Sequence, residues 1–230
     1  EELGLAPGPH KRSNPDRLVA SMLPLDAPRG ANFLTEPAAT AAFDRLAEPG
    51  GSGIIEEDRL VRNLLSSQPA CFNLFGPFVD EPNRLLPWVQ RIDAEATSVS
   101  EVRFEWAPPK AEHFGGGSAF DAFVAYRAGE AERFLGVECK YAENLAASPY
   151  KPRDVHGDWT TPAHGWRDDA LDRLQARHRW QLWLNTLLAQ SLVAKDQRWD
   201  DGTAVVVACA ADEKAKAATD EVRVELDEPD

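Results

Sequence analysis

Asp121, Glu138 and Lys140 are the residues of this chain whose types and spacing could do chemistry together. They interrupt two runs rich in aromatic and β-branched residues, 118–128 and 131–141, joined through Gly129-Glu130. Such runs read as a β-hairpin, with Gly129 in the first central position of a type II′ turn. With the turn centred there, residue i lies opposite residue 259 − i, so Arg127 faces Glu132, Val124 faces Leu135 and Ala122 faces Val137. The Arg127–Glu132 pair supports that register. In the same register Asp121 faces Glu138, and Lys140 shares the face of Glu138 because strand side chains alternate with period two. Carboxylates set opposite each other repel, and one is driven towards its neutral form unless a cation lies between them. Lys140 supplies part of that charge. A hard divalent ion fits better, since Mg²⁺ is held by one or two carboxylates together with water and phosphate oxygens. The bland reading is a solvated ion-pair ladder on a surface hairpin, but these residues interrupt apolar strands instead of sitting at strand ends.

Asp121, then sixteen residues, then Glu138-Cys139-Lys140 resembles the Asp…(Asp/Glu)-x-Lys pattern of the PD-(D/E)XK nuclease superfamily. Phe120 stands where that pattern has its name-giving proline. The surrounding residues, Ser118 to Phe123 and Gly136 to Tyr141, are similar to a bacterial restriction-endonuclease-like family within the superfamily. Two further stretches carry the same likeness: Arg62 to Pro69 with Cys71 to Gly76, and Gln181 to Ala189. The resemblance covers roughly residues 54 to 210. It implies an α/β fold with a restriction-endonuclease-like core of helix, three-strand antiparallel meander, helix and strand. It also implies a metal-dependent DNA nuclease using Mg²⁺, with Mn²⁺ as a substitute. Asp121 and Glu138 would be metal ligands, the Cys139 carbonyl a further one, and Lys140 would orient the attacking water. The helix before the sheet often adds a carboxylate in this superfamily, which points to Glu57. Gln181 resembles a glutamine that some members place beside the metal.

With 230 residues, 43% of them hydrophobic and 27% charged, the chain can bury one substantial core. The expected division is an N-terminal arm and short helix over 1–50 and a nuclease-like domain over 51–230. Cys71, Cys139 and Cys209 are odd in number and far apart, which offers neither a disulfide framework nor zinc spacing and suits a reducing cytoplasm. The longest apolar run, Ala204 to Ala211, is a strand's length, so no membrane span is expected. The chain opens without an initiator Met or a signal-like segment, as a trimmed chain or fragment would. The net charge of −13 argues against nucleic acid, because Lys and Arg must neutralise phosphates, unless charge is segregated. Residues 212–230 carry eight acids against three bases, whereas 151–180 hold six Lys or Arg against five Asp.

Residues 1 to 34, rich in Pro and Gly, read as an irregular arm. Thr35 caps a short helix with Pro37 in its first turn, ending at Pro49. Ser52 opens a second helix that stops before Pro69, with Glu56, Glu57 and Asp58 complementing its dipole, and a compact insert follows. Residues 98–106 alternate as a strand, where Glu105 is either an outward-facing residue or a metal ligand. Residues 107–117 form a loop whose glycine run lacks the Gly-Lys-Ser/Thr of a P-loop. The five histidines show no ligand spacing. Residues 144–167 read as a long loop in which cations interleave with Trp159 and Trp166; Lys151 and Arg153 there suit phosphates and unstacked bases. A helix from Asp168 to about Ala194 carries Arg173, Arg177, Gln181 and Asn185 at four-residue intervals, the two arginines being phosphate-contact candidates. Thr203 to Ala210 fits a strand buried on both faces, and Glu221 to Leu226 a last strand or a frayed tail. Two other classes remain open: an assembly or nucleic-acid-binding module with this fold but no turnover, and a metal-dependent hydrolase of another substrate. A homodimer would allow paired cuts at a two-fold-symmetric site.

Overall fold

The computed structural model describes residues 6–11, 13–48, 54–142, 152–175 and 180–227. In chain order the strands and α-helices are β1 (Gly8–Lys11), β2 (Asn14–Val19), α1 (Glu36–Ala47), α2 (Glu57–Arg62), α3 (Ser67–Phe75), α4 (Leu86–Val89), β3 (Ser98–Trp106), β4 (Phe120–Ala128), β5 (Ala131–Lys140), α5 (Asp154–Trp159), α6 (Ala170–Leu174), α7 (Trp180–Lys195), β6 (Asp201–Ala208) and α8 (Glu213–Arg223). β3, β4 and β5 form an antiparallel meander, and β6 adds beside β5 in parallel after the α7 crossover. This is the expected helix, meander, helix, strand order.

The hairpin forms in the register read from the sequence: Ala122 pairs with Val137, Val124 with Leu135 and Arg127 with Glu132. Gly129 has φ 62°, the left-handed conformation a II′ turn needs and that glycine adopts without a Cβ clash. Alternation then sends the two sides of the hairpin into separate cores. Phe123, Ala125 and Phe134 meet Trp183, Leu187 and Leu188 of α7, while Val124, Leu135 and Val137 meet the layer containing Phe72, Phe75 and Leu60. Phe120, at the position of the name-giving proline, is fully buried with its ring over Gly136; a Cβ there would lie 2.2 Å from the ring.

Several expectations are corrected. α2 stops at Arg62 and a second helix, α3, starts at Ser67, capped by the Ser66 side chain on the Gln68 amide. Pro69 therefore lies in a first turn, where its missing N–H costs nothing. Ser52 lies outside the described residues. Within the expected N-terminal arm, Gly8–Lys11 and Asn14–Val19 pair as β1 and β2, and Arg62 anchors this region to the core: its guanidinium is 3% exposed, pairs bidentately with Asp58 and donates to the Pro9 and Leu23 carbonyls. The loop after the hairpin contains α5. The helix expected from Asp168 is described as two segments, α6 and α7, and Asp169 at φ 61° keeps Asp168 out of α6. β6 is an edge strand, only half-buried, although its residues meet both cores. Of the expected tail strand, Glu221 to Arg223 end helix α8, in which the Asp212 side chain accepts from the Lys214 and Ala215 amides and Ala215, Ala218 and Val222 are buried at helical spacing, and Leu226 beyond it makes an isolated bridge with Trp166. No helix among the described residues is long and apolar enough to cross a membrane.

Candidate active site

Three acids line up across the meander at one end of the sheet. The β3–β4 register, Phe104 with Ala122 and Trp106 with Phe120, brackets Glu105 beside Asp121. The β4–β5 register leads from Ala122 and Val137 to Asp121 and Glu138. All three line a cleft of about 740 Å³, together with Lys140, Gln181 and Gln68.

The acids are held differently. Asp121 Oδ2 accepts from the Cys139 amide at 2.7 Å. Burial pushes its carboxyl well above the usual range, and the charges of Glu138 and Glu105 push the same way, against the Cys139 hydrogen bond and Lys140. Glu138 is 5% exposed. Its Oε1 meets the Lys140 ammonium at 2.6 Å and its Oε2 accepts from Asn185 Nδ2 at 2.5 Å. Ser118 Oγ donates to the Asn185 amide oxygen at 2.6 Å, which fixes which end of that amide faces Glu138. Glu105 is raised by burial and by Glu138, while the Gln68 hydrogen bond pulls it down. Lys140 is 8% exposed, and its ammonium also donates to Gln181 Oε1 at 2.7 Å. Lys140 pairs with Glu138, Arg59 and Lys110 also line the cleft, and the charges of Arg45 and Arg59 act on Glu105.

Of the candidates read from the sequence, Asp121, Glu105, Glu138, Lys140 and Gln181 come together in this cleft. The Cys139 thiol lies on the opposite face of β5, in contact with Cys71, and only its backbone reaches Asp121. Glu57 is not brought here: more than half exposed, it pairs with Arg29 at 2.8 Å. Glu105 takes the third place instead. Arg153 is exposed at the start of α5 and does not line the cleft. Arg173 is spent on Glu225, with Nε 2.8 and 2.9 Å from the two carboxylate oxygens. Lys151 and Arg177 lie outside the described residues. Gln68, Asn185 and Ser118 were not singled out as site residues, although Asn185 stands one helical turn after Gln181 and Ser118 opens the hairpin motif. His113 also lines the cleft; burial lowers it to about 4, so it is a neutral wall.

The donor set is hard oxygen from carboxylates, which fits a Mg²⁺-like ion that keeps much of its water. Among the described residues no three His, Cys, Asp or Glu side chains form a ready-made cage, so an ion here would need water and substrate oxygens besides the carboxylates.

No curated protein and no solved structure matches the chain. The family model of the PD-(D/E)XK nuclease superfamily matches residues 1–230. The meander, its crossover strand and the Asp121…Glu138-x-Lys140 end of the sheet agree with that match, and the chain belongs to the PD-(D/E)XK nuclease superfamily, a group in general of metal-dependent nucleases.

Proposed function

We propose that this protein hydrolyses phosphodiester bonds in DNA with Mg²⁺, or Mn²⁺ in its place. The observation that carries this reading is the gathering of Glu105, Asp121 and Glu138 with Lys140 in one cleft, the Asp121 carboxyl raised well above the usual range by burial and by its two acidic neighbours, in a fold of this superfamily. Asp121 and Glu138, with Glu105 and the Cys139 carbonyl as further oxygen donors, would hold the ion. When bound, the ion supplies a Lewis acid for the scissile phosphate and lowers the pKa of its water. Lys140 orients that water for in-line attack and opposes the charge developing on the phosphate. Gln181 fixes the ammonium through its 2.7 Å hydrogen bond, and Asn185 holds Glu138 in place. The products would be a 5′-phosphate and a 3′-hydroxyl. Arg153 is a phosphate contact in this reading, as are Lys151 and Arg177, which lie outside the described residues; Arg173, already paired, is not. The free thiols Cys71, Cys139 and Cys209 fit a reducing cytoplasm.

The test is cleavage of supercoiled, linear and single-stranded DNA with Mg²⁺, Mn²⁺ or EDTA, beside Lys140→Ala. Cutting that needs the metal and is lost in the variant supports the reading; metal-independent cutting, or an active variant, sinks it. The net charge of −13 favours a second reading, a binding or assembly module without turnover or a hydrolase of a substrate other than DNA. Silence on all three DNA forms would favour that class.

A further inference from the structure

Glu105 has φ 45°, in the left-handed region that a non-glycine residue occupies at a cost. Such a conformation persists only where the surroundings over-determine it. The surroundings here are identifiable. The Arg45 guanidinium, reaching over from α1, donates from Nε to the Phe104 carbonyl and from Nη2 to the Glu105 carbonyl, each at 2.9 Å. One planar group thereby spans two successive peptides, fixing the backbone on both sides of the strained residue. The side chain is gripped separately, by Gln68 Nε2 on Glu105 Oε1 at 3.1 Å.

Gln68 is itself held. It is 8% exposed, its Nε2 also donates to the Ile54 carbonyl at 3.0 Å, and its Oε1 accepts from the Glu56 amide at 3.3 Å. These contacts fix which end of the amide is the donor, so it presents N–H to the carboxylate. Of the three carboxyls of the cleft, the Gln68 amide bonds Glu105, and through it would act on the ion.

We propose that Gln68 and Arg45 are positioning residues that hold Glu105 as the third carboxylate of the cation site, Gln68 setting its carboxylate and Arg45 its backbone. This rests on the reading of Asp121 and Glu138 as metal ligands. Groups that orient a metal-binding side chain change affinity by about 10- to 100-fold when removed.

The experiment is Mn²⁺ binding to the full chain by titration calorimetry, with no nucleic acid, and a thermal melt of each variant. Glu105→Ala and Gln68→Met should each weaken Mn²⁺ by roughly tenfold or more, and the double variant should bind no more weakly than Glu105→Ala, because Gln68 acts through that carboxylate. Met keeps the volume and removes the amide; Gln68→Asn, one methylene shorter, repeats the test should the Met variant misfold. Wild-type affinity in both Gln68 variants, or losses that multiply in the double variant, overturns the role. Asp121→Asn separates the two ideas: unchanged Mn²⁺ binding there sinks the metal-site reading and this role with it, whereas loss there with none at Gln68 sinks the role alone.

Discussion

The β4–β5 hairpin carries a charged cluster near each end, and the two are settled in opposite ways. Near the turn, Asp93 accepts from Tyr126 and from Arg133, each at 2.8 Å, and Arg133 also reaches Glu95 at 3.0 Å. Burial works against the Asp93 charge, but the Arg133 and Tyr126 hydrogen bonds win and its carboxyl lies below the usual range. Five residues from Tyr126 along β4, Asp121 lies far above that range, raised by burial and then by the charges of Glu138 and Glu105. The partners of Asp93 stand on the same two strands as Asp121 and Glu138, but Asp93 itself lies in the connection before β3 and is far less desolvated than Asp121, so the difference lies in burial and in partners together. A cluster that balances its own charge holds the fold together. One whose carboxyls are raised by burial and by each other costs stability, a cost that a cation from outside would offset.

The largest expected difference between the clusters is in turnover. Lys140→Ala should lower cleavage at least about 100-fold, the scale of losing a group that stabilises transition-state charge, while Asp93→Asn leaves the rate per folded molecule unchanged. Comparable losses in both would erase the distinction. Next comes ion linkage: Mn²⁺ at about 100 times its Kd should stabilise the ion-free wild type by about 2.7 kcal/mol, seen as a rise in Tm that Glu138→Gln abolishes. Loss of the near-turn cluster through Arg133→Met should cost roughly 2 kcal/mol in urea denaturation, since hydrogen bonds to charged groups are worth about 1.5–3.

The sharpest test is one substitution with opposite signs. The Asp121 carboxyl keeps its proton in the folded state to a higher pH than in the unfolded chain, so the native state binds more protons and stability is lost as pH rises through the raised value. Asp121→Asn removes that loss and should raise the Tm of the ion-free protein at pH 8 by about 3 °C, the shift expected from about 1 kcal/mol in a chain of this size. Asp93 is depressed, so its contribution is present above about pH 3.9 and lost as pH falls through its folded value; Asp93→Asn should lower Tm at the same pH. Matching signs would break the comparison. The smallest effect belongs to His113 and His156, both lowered by burial to about 4. They favour the folded state above about pH 6.5 and withdraw that support as pH falls towards 4, a slope that His156→Gln should flatten.

What could be read from the sequence follows physical range. The hairpin was legible because Gly129 and the Arg127–Glu132 pair fix its register within a few residues, and with it Asp121, Glu138 and Lys140. Glu105 was ambiguous because its place beside Asp121 depends on the β3–β4 register, which lies across the 107–119 connection and is set by packing rather than by a turn motif. Gln68 was hidden by the helix break after Arg62, since a single helix running to Pro69 puts it at a C-terminus instead of in the first turn of α3. In the tail, Ala215 and Ala218 bury too little apolar area to announce a helix, so the alternating residues from Glu221 looked like a strand. Arg173 lost its phosphate-binding reading to Glu225, a partner fifty-two residues away that no local pattern reveals.

The 2.7 Å bond from Lys140 to Gln181 and the 2.5 Å bond from Asn185 to Glu138 have a consequence for biogenesis. The Lys140 ammonium and the Glu138 carboxylate are made some forty residues before their partners on α7 emerge. A ribosome-bound chain that has exposed only the meander carries every acid of the cleft with half its scaffolding missing. The geometry of the cleft is therefore withheld until α7 has left the exit tunnel and docked.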